Sequence, residues 1–122
     1  MTTLHLRARG PHSKYDIWSR VTDPHRWPEW TDRIELADVD GRLRVGLEGI
    51  LDGWLGSHRP FEVTEVDTHA MRWTWRVGSG RGSVDVDHDI SDGYASATIR
   101  GSLLGAWRYL PVARRHLKRL VS

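Results

Sequence analysis

The sequence predicts an α+β fold in which a seven-stranded antiparallel sheet is covered by one long C-terminal helix. Two observations predict it: apolar residues alternate with a period of two over most of residues 34–101, and they recur three or four apart after Gly101. An antiparallel sheet with one apolar face needs a cover, and the terminal segment is the one long amphipathic element available. The chain of 122 residues has room for a single domain, residues 1–122.

The N-terminal third predicts one strand followed by two short helices. Thr2–Arg9 alternates polar and apolar residues, as a half-buried strand does. The capping-box pattern of Ser13–Asp16 begins a helix. Asp23–Pro24 offers a second helix start, an acidic cap followed by proline, and Trp27–Pro28 ends that helix about one turn later.

Glycine and Asp-Gly turns divide the middle of the chain into six further strands. They are predicted near residues 34–39, 44–52, 59–67, 70–78, 82–91 and 94–101. In the terminal helix, one face is predicted to cover the sheet, and it carries Leu103, Trp107, Leu110, Ala113, Leu117 and Leu120 or Val121. Pro111 predicts a kink or a place in the first turn.

Composition and charge exclude several classes of protein. With 39% hydrophobic and 28% charged residues the chain is an ordinary globular one. It has no apolar run long enough to span a bilayer, and Met1–Gly10 alternates where a signal peptide would be continuously apolar, so we expect a cytoplasmic protein without stable membrane insertion. The absence of Cys excludes disulfides and thiol nucleophiles.

The net charge of +2 conceals an asymmetry. The segment Ala106–Ser122 holds five Lys/Arg and no acid, which leaves 13 basic against 16 acidic residues, or −3, for residues 1–105. A nucleic-acid-binding domain usually spreads its cations over a whole face, so no nucleic-acid partner is predicted. The basic terminal helix can be read as a membrane-surface or nucleic-acid element. The interpretation we favour is a solvated outer face whose cations lie near the C-terminus of the helix.

Tryptophan is the most informative residue type. Trp73 and Trp75 share one strand face, and Trp107 lies on the predicted apolar face of the terminal helix, so all three are expected between sheet and helix. Indole is large and rigid and carries one N–H, which suits the lining of a pocket for flat ligands. The alternative is that these side chains are simply the core.

His88 shares a strand face with Val84, Val86 and Ile90. It could be a general base, a proton donor or an anchor for a ligand carbonyl. It could equally be a core histidine with its hydrogen bonds satisfied, because no acid or nucleophile is paired with it in the sequence.

Other patterns resemble sites only superficially. Asp85, Asp87 and Asp89 alternate on the opposite strand face, but the glycine and glutamate positions of a calcium loop do not match. The seven His lack metal-ligand spacing, so neither a metal nor another cofactor is predicted. The glycine-rich segment 78–82 precedes a strand and not a helix, which indicates a hairpin turn and not a phosphate loop.

Several strings, in order along the chain, resemble the polyketide cyclase/dehydrase group of the START/Bet v1-like superfamily (SRPBCC). The most extensive is Ile17–Trp30, with its Trp, Thr-Asp-Pro and Trp-Pro-x-Trp elements. Further matches are Leu43-Arg44-Val45-Gly46, Phe61-Glu62-Val63-Thr64-Glu65-Val66-Asp67, Met71-Arg72-Trp73-Thr74-Trp75-Arg76 and Gly101-Ser102-Leu103-Leu104. The resemblance implies a helix-grip fold, in which a curved seven-stranded antiparallel sheet wraps around the long C-terminal helix and encloses a hydrophobic cavity. This chain is short for the group, which predicts a small cavity or one open at an end.

Our leading hypothesis is that the protein binds a small hydrophobic or aromatic molecule, polyketide- or lipid-like, between sheet and helix. The predicted lining is Trp30, Phe61, Trp73, Trp75, Val86, His88 and Trp107. If the protein is an enzyme, the resemblance implies a cyclase, aromatase or dehydratase reaction in which His88 moves a proton. The alternative is a non-catalytic interaction module with a packed core, as a monomer or as a homodimer.

Overall fold

The computed structural model describes residues 1–31, 33–36, 41–52 and 58–122. Within these residues the chain forms one sheet, two α-helices and short 3-10 segments. The strands are β1 Thr2–Arg9, β2 Arg33–Leu36, β3 Glu48–Asp52, β4 His58–Asp67, β5 Arg72–Val77, β6 Val84–Ser91 and β7 Tyr94–Gly101. The helices are α1 Lys14–Thr22, a 3-10 helix Pro24–Glu29, a 3-10 turn Gly80–Gly82 and α2 Leu103–Val121.

The seven strands form one antiparallel sheet in the order β1-β7-β6-β5-β4-β3-β2. The first strand therefore pairs with the last, Thr2 opposite Gly101. α2 follows β7 directly and packs mainly against β1 and β7. The predicted α+β architecture, with two short helices after the first strand and a long terminal helix, is confirmed.

The helix starts follow the capping residues that the sequence predicts. The Ser13 hydroxyl accepts a hydrogen bond from the Asp16 amide at 3.3 Å, and the Asp23 carboxylate accepts one from the His25 amide at 3.0 Å. Ser102 caps α2 in the same way, accepting from the Gly105 amide at 3.1 Å. Each cap satisfies a backbone donor that has no partner within its helix.

The inner face of the sheet, the 3-10 helix Pro24–Glu29 and one side of α2 enclose the core. Trp27, Trp30, Trp73 and Trp75 are among its largest fully buried side chains. Along β6 the burial alternates strictly, so Val84, Val86, His88 and Ile90 point inward while the intervening aspartates point outward. This is the alternation expected of a sheet covered on one side.

Two close backbone contacts fix α2 on the sheet. A methyl group at Gly10, just after β1, would lie 1.8 Å from the carbonyl oxygen of Val121. A methyl group at Gly105 would lie 3.1 Å from the carbonyl oxygen of Gly82. The last turn of α2 therefore approaches the end of β1 more closely than a side chain at position 10 would permit, and its first turn packs tightly against the 3-10 turn Gly80–Gly82. α2 runs in the same direction as β1.

The structure corrects some predicted boundaries. The strand predicted at 44–52 begins at Glu48, because Gly46 has a φ of +91° and the chain turns there. Residues 37–39 of the strand predicted at 34–39 lie outside the described residues. Pro111 lies inside α2, away from its first turn, and it faces solvent. None of the described helices combines the length and apolarity that crossing a membrane requires.

Candidate functional site

Seven aromatic side chains meet between the sheet and α2, and we call them the aromatic cluster. Its members are Trp27, Trp30, Phe61, Trp73, Trp75, His88 and His116. Neighbouring ring centroids lie 3.9–6.3 Å apart, mostly in tilted or edge-to-face geometry. These are the separations of rings in direct contact.

Strand alternation and one short helix place these rings. Trp73 and Trp75 are two residues apart on β5 and therefore point to the same side, with their ring centroids 4.9 Å apart. The 3-10 helix brings Trp27 and Trp30 over them, with Trp27 5.8 Å from Trp73 and 5.8 Å from Trp75. His116 closes the cluster from α2, edge-on to Trp30 at 5.9 Å.

The four indole N–H groups of the cluster fall into two pairs. Trp27 donates to the carbonyl of Val21 at 2.7 Å, and Trp30 donates to the carbonyl of Arg20 at 3.1 Å, so both satisfy carbonyls at the end of α1. The buried Nε1 atoms of Trp73 and Trp75 have no acceptor among the described residues. A buried donor without a partner costs about 1–3 kcal/mol.

His88 is the polar member of the cluster on β6. Its ring stacks on Trp73 with the centroids 3.9 Å apart and the planes 8° from parallel. Its Nδ1 lies 3.3 Å from the Trp73 carbonyl, and a carbonyl oxygen only accepts, so Nδ1 carries the hydrogen and Nε2 is the basic nitrogen. His88 is 5% exposed, and this burial lowers its pKa from 6.5 to about 3.

The lowered pKa defines what His88 can do. At neutral pH the ring is uncharged, which makes it a hydrogen-bonding group rather than a proton donor. A base whose conjugate acid has a pKa of about 3 also removes protons poorly near pH 7. The catalytic role of His88 stays a prediction, and the electrostatics of the site do not favour it.

The structure brings together six of the seven residues predicted to line the site. Trp30, Phe61, Trp73, Trp75 and His88 belong to the aromatic cluster, and Val86 is fully buried opposite Trp75 on β6.

Trp107 is the exception, and the prediction that it faces the sheet is wrong. Its side chain is 53% exposed, and Ala106 and Tyr109 face inward instead. Gly105 lies close to the backbone of Gly82, so the first turn of α2 has room only for small inward residues, here Gly105 and Ala106, and Tyr109 follows in the second turn.

Sequence reasoning did not select three buried aromatic residues, namely Trp27, Tyr109 and His116. The pair Trp27–Pro28 predicts only the end of a short helix. Tyr109 and His116 lie seven residues apart, two helical turns, and this spacing with Val112 and Ala113 between them marks the true inner face of α2.

The outer face of the sheet carries the three aspartates that resemble a calcium loop. Each is paired with an arginine: Asp85 with Arg76 at 3.0 Å, Asp87 with Arg100 at 3.0 Å and Asp89 with Arg72 at 2.8 Å. Thr74 also donates to Asp87 at 2.7 Å. These groups form a cross-strand ladder on the solvent side of β5, β6 and β7.

No protein-family model matches this sequence, and no curated protein matches it. Solved structures match over nearly the whole chain. CalU16 from Micromonospora echinospora is 18% identical, with 98% of this chain and 71% of CalU16 aligned at a TM-score of 0.72. Norcoclaurine synthase from Thalictrum flavum is 13% identical, with 98% of this chain and 84% of the synthase aligned at a TM-score of 0.63.

The chain has the Bet v1-like helix-grip fold. This fold also relates it to DynU16, a protein from the dynemicin biosynthetic locus, at 17% identity and a TM-score of 0.66. The alignment covers 94% of this chain but 45% of DynU16, so this chain spans less than half of that protein. The resemblance to the START/Bet v1-like superfamily is confirmed for the helix-grip fold, and identities this low carry fold information only.

Proposed function

We propose that this helix-grip protein binds a small, flat, mainly apolar molecule that carries hydrogen-bond acceptors, at the aromatic cluster. The observation that carries the proposal is that the indole N–H groups of Trp73 and Trp75, whose ring centroids lie 4.9 Å apart, are both buried without an acceptor among the described residues. Folded proteins rarely leave such donors unpaired. A ligand oxygen within reach of both would satisfy them.

The chemistry of the cluster selects the class of ligand. Ring faces and edges stack on flat conjugated molecules, indole N–H groups donate to carbonyl or phenol oxygens, and Nε2 of neutral His88 accepts from a phenol hydroxyl. An oxygenated aromatic molecule of polyketide type has both properties, whereas a saturated acyl chain has neither. The same helix-grip fold occurs in norcoclaurine synthase and in a protein from the dynemicin biosynthetic locus.

The contact between the rings of the aromatic cluster limits how a ligand can enter it. The described rings touch each other, so a ligand must displace one ring or occupy the space beside the cluster. Trp30 and Trp75 approach His116 at 5.9 and 6.2 Å, edge to face, which is the contact between the sheet side and α2. We infer that a flat ligand enters at this contact.

Native mass spectrometry of freshly purified protein, followed by titration of tryptophan fluorescence, tests the proposal. We expect binding of oxygenated aromatic compounds and no binding of saturated fatty acids. Absence of a retained molecule, together with no fluorescence response across a broad panel of both classes, would overturn the proposal.

A matched pair of variants tests the role of the unpaired donors. Trp75→Phe removes an N–H without a partner, and Trp27→Phe removes one that the Val21 carbonyl accepts. Ligand affinity should fall about tenfold in Trp75→Phe, which corresponds to one hydrogen bond, and change little in Trp27→Phe. Without ligand, Trp27→Phe should lose about 1–3 kcal/mol more unfolding free energy than Trp75→Phe, because it alone breaks an internal hydrogen bond.

The second candidate is a non-catalytic interaction module whose interior is packed by its own rings. The continuous ring contact within the aromatic cluster favours it. If this alternative is correct, Trp75→Ala lowers the free energy of unfolding by about 3–5 kcal/mol, as expected for a core tryptophan, and no compound in the panel binds. Recovery of stability on adding a ligand to Trp75→Ala would instead support the binding site.

A further inference from the structure

The solvent face of α2 begins with three exposed apolar side chains. Leu103, Leu104 and Trp107 are 64%, 61% and 53% exposed, which places them among the most exposed large apolar residues that the structure describes. Their spacing puts them on one side of the first two helical turns. Exposed apolar groups that cluster in this way mark a contact surface more often than isolated ones do.

The same face becomes cationic toward the end of α2. Arg108, Arg114 and Lys118 are exposed, and they form no ion pair within the part of the chain that the structure describes. Arg7 and Arg9 of β1 join Arg114 and Lys118 along a groove of about 690 Å³ between β1 and α2. Arg114 and Lys118 lie on the same side of α2 as Leu103 and Trp107. The apolar and cationic parts therefore form one continuous surface, which we call the α2–β1 surface.

Charge separates this surface from the rest of the molecule. β1 and α2 together hold seven of the 18 Lys/Arg and none of the 16 Asp/Glu, so the remaining residues have eleven basic against sixteen acidic side chains. A second copy docking through the same face would place like charges opposite each other, which is unfavourable. The α2–β1 surface therefore suits an anionic partner that also offers an apolar phase.

We propose that the α2–β1 surface docks reversibly on an anionic lipid bilayer. α2 has 19 residues and so lies along about 28 Å of bilayer surface. Leu103, Leu104 and Trp107 enter the boundary between headgroups and acyl chains, where tryptophan is favoured. Arg114, Lys118 and the β1 arginines contact lipid phosphates, and the acidic remainder of the protein faces away from the membrane.

Co-sedimentation with vesicles tests the docking. We expect binding to phosphatidylcholine vesicles that contain phosphatidylglycerol, weak binding to pure phosphatidylcholine, and release by high salt because cation–phosphate attraction is screened. Equal binding to both kinds of vesicle, or no binding to either at low salt, would overturn the proposal.

Two exposed substitutions separate the apolar and cationic contributions, each with a control elsewhere. Leu104→Ser should weaken vesicle binding about tenfold, whereas Val45→Ser, at a residue 63% exposed in another part of the molecule, should not. Arg114→Glu should weaken binding about 30-fold, since each cation near the surface contributes about fivefold. The same charge reversal at exposed Arg42 should have a clearly smaller effect.

Duplex DNA tests whether the α2–β1 surface binds any polyanion instead of an anionic bilayer in particular. One outcome is that the protein binds DNA as strongly as anionic vesicles at equal phosphate concentration, with Leu104→Ser leaving DNA binding unchanged. That result would replace the lipid proposal with nucleic-acid binding.

Quenching of tryptophan fluorescence by brominated lipid tests the orientation of the bound protein. It should be larger in the wild type than in Trp107→Phe, because Trp107 enters the bilayer. Equal quenching in both would contradict the proposed orientation.

Discussion

His88 shows how a single residue couples the interior to pH. Its folded pKa of about 3 lies well below the ordinary 6.5, first because of burial and then because His116 on α2 disfavours its positive charge. The Trp73 carbonyl and Asp87 oppose this shift. Between these two pKa values the unfolded chain therefore binds a proton that the folded protein does not.

Stability should therefore fall as the pH drops from about 6.5 toward 3. Each pH unit in this window should cost the fold about 1.4 kcal/mol from His88, while at pH 7 and above the residue has no such effect. Urea unfolding at several pH values, compared between wild type and His88→Phe, measures this contribution. His5→Phe, a change on the exposed side of β1, is the control, and an identical pH slope in wild type and His88→Phe would contradict the argument.

The sequence revealed most of the inward residues because strand alternation assigns a side to each of them. Trp73, Trp75, Val86 and His88 follow directly from the period of two. Which indole nitrogens find an acceptor could not be predicted, because it depends on how distant segments pack: Trp27 and Trp30 reach one, and Trp73 and Trp75 do not among the described residues. Those acceptors are carbonyls of α1, whose position relative to the 3-10 helix is a tertiary property.

At the scale of elements, β4 contains a bulge that keeps its acidic residues outside. Val63 pairs with Trp75 and Glu65 pairs with Thr74, so Thr64 is an extra residue without a cross-strand partner. Because of that extra residue, Glu65 is exposed although it lies two residues after buried Val63. The sequence indicates the bulge, because the apolar residues of β4 change from odd to even positions between Val63 and Val66.

Deleting Thr64 should therefore leave the fold intact. The deletion makes β4 regular while every remaining side chain keeps its face, so the expected cost is about 2 kcal/mol or less. Deleting Glu62 should cost more than about 3 kcal/mol, because Phe61 then moves from the core to the outer face. Thermal unfolding followed by circular dichroism distinguishes them, and equal destabilisation by the two deletions would refute this account of the bulge.

α2 is the element for which the sequence misled the prediction. Its C-terminal half follows the prediction, since Ala113, Leu117, Leu120 and Val121 are buried. Its first half has two neighbouring apolar stripes, one through Leu103, Trp107 and Leu110 and one through Ala106 and Tyr109. Hydrophobicity favours the first stripe because its side chains are larger. The close contact between Gly105 and Gly82 selects the second, and that contact between distant segments cannot be read from helical periodicity.

At the scale of the whole molecule, the order of the strands in the sheet determines which strand pairs form early and which form late during folding. β1 pairs with β7 across more than ninety residues of chain, as in the pair Leu6 and Ala97, while β6 and β7 are joined by a tight turn at Asp92–Gly93. Closing a long loop costs entropy before its contacts form. We therefore expect the β6–β7 hairpin to form early and β1 to join late.

Folding and unfolding rates measured against denaturant concentration test this order. Leu6→Ala in β1 should mainly accelerate unfolding, because its contacts are absent from the transition state. Val86→Ala in β6 should mainly slow folding. The opposite assignment of the two effects would show that β1 docks before the transition state.

The contact between Gly10 and Val121 places a strict constraint on evolution at an unremarkable surface turn. One added carbon at position 10 would clash with the backbone of the last turn of α2. A buried valine can exchange with isoleucine by small local adjustments, but no such adjustment accommodates a side chain where two backbones touch. Related sequences that keep this packing should therefore vary more freely inside the protein than at that glycine.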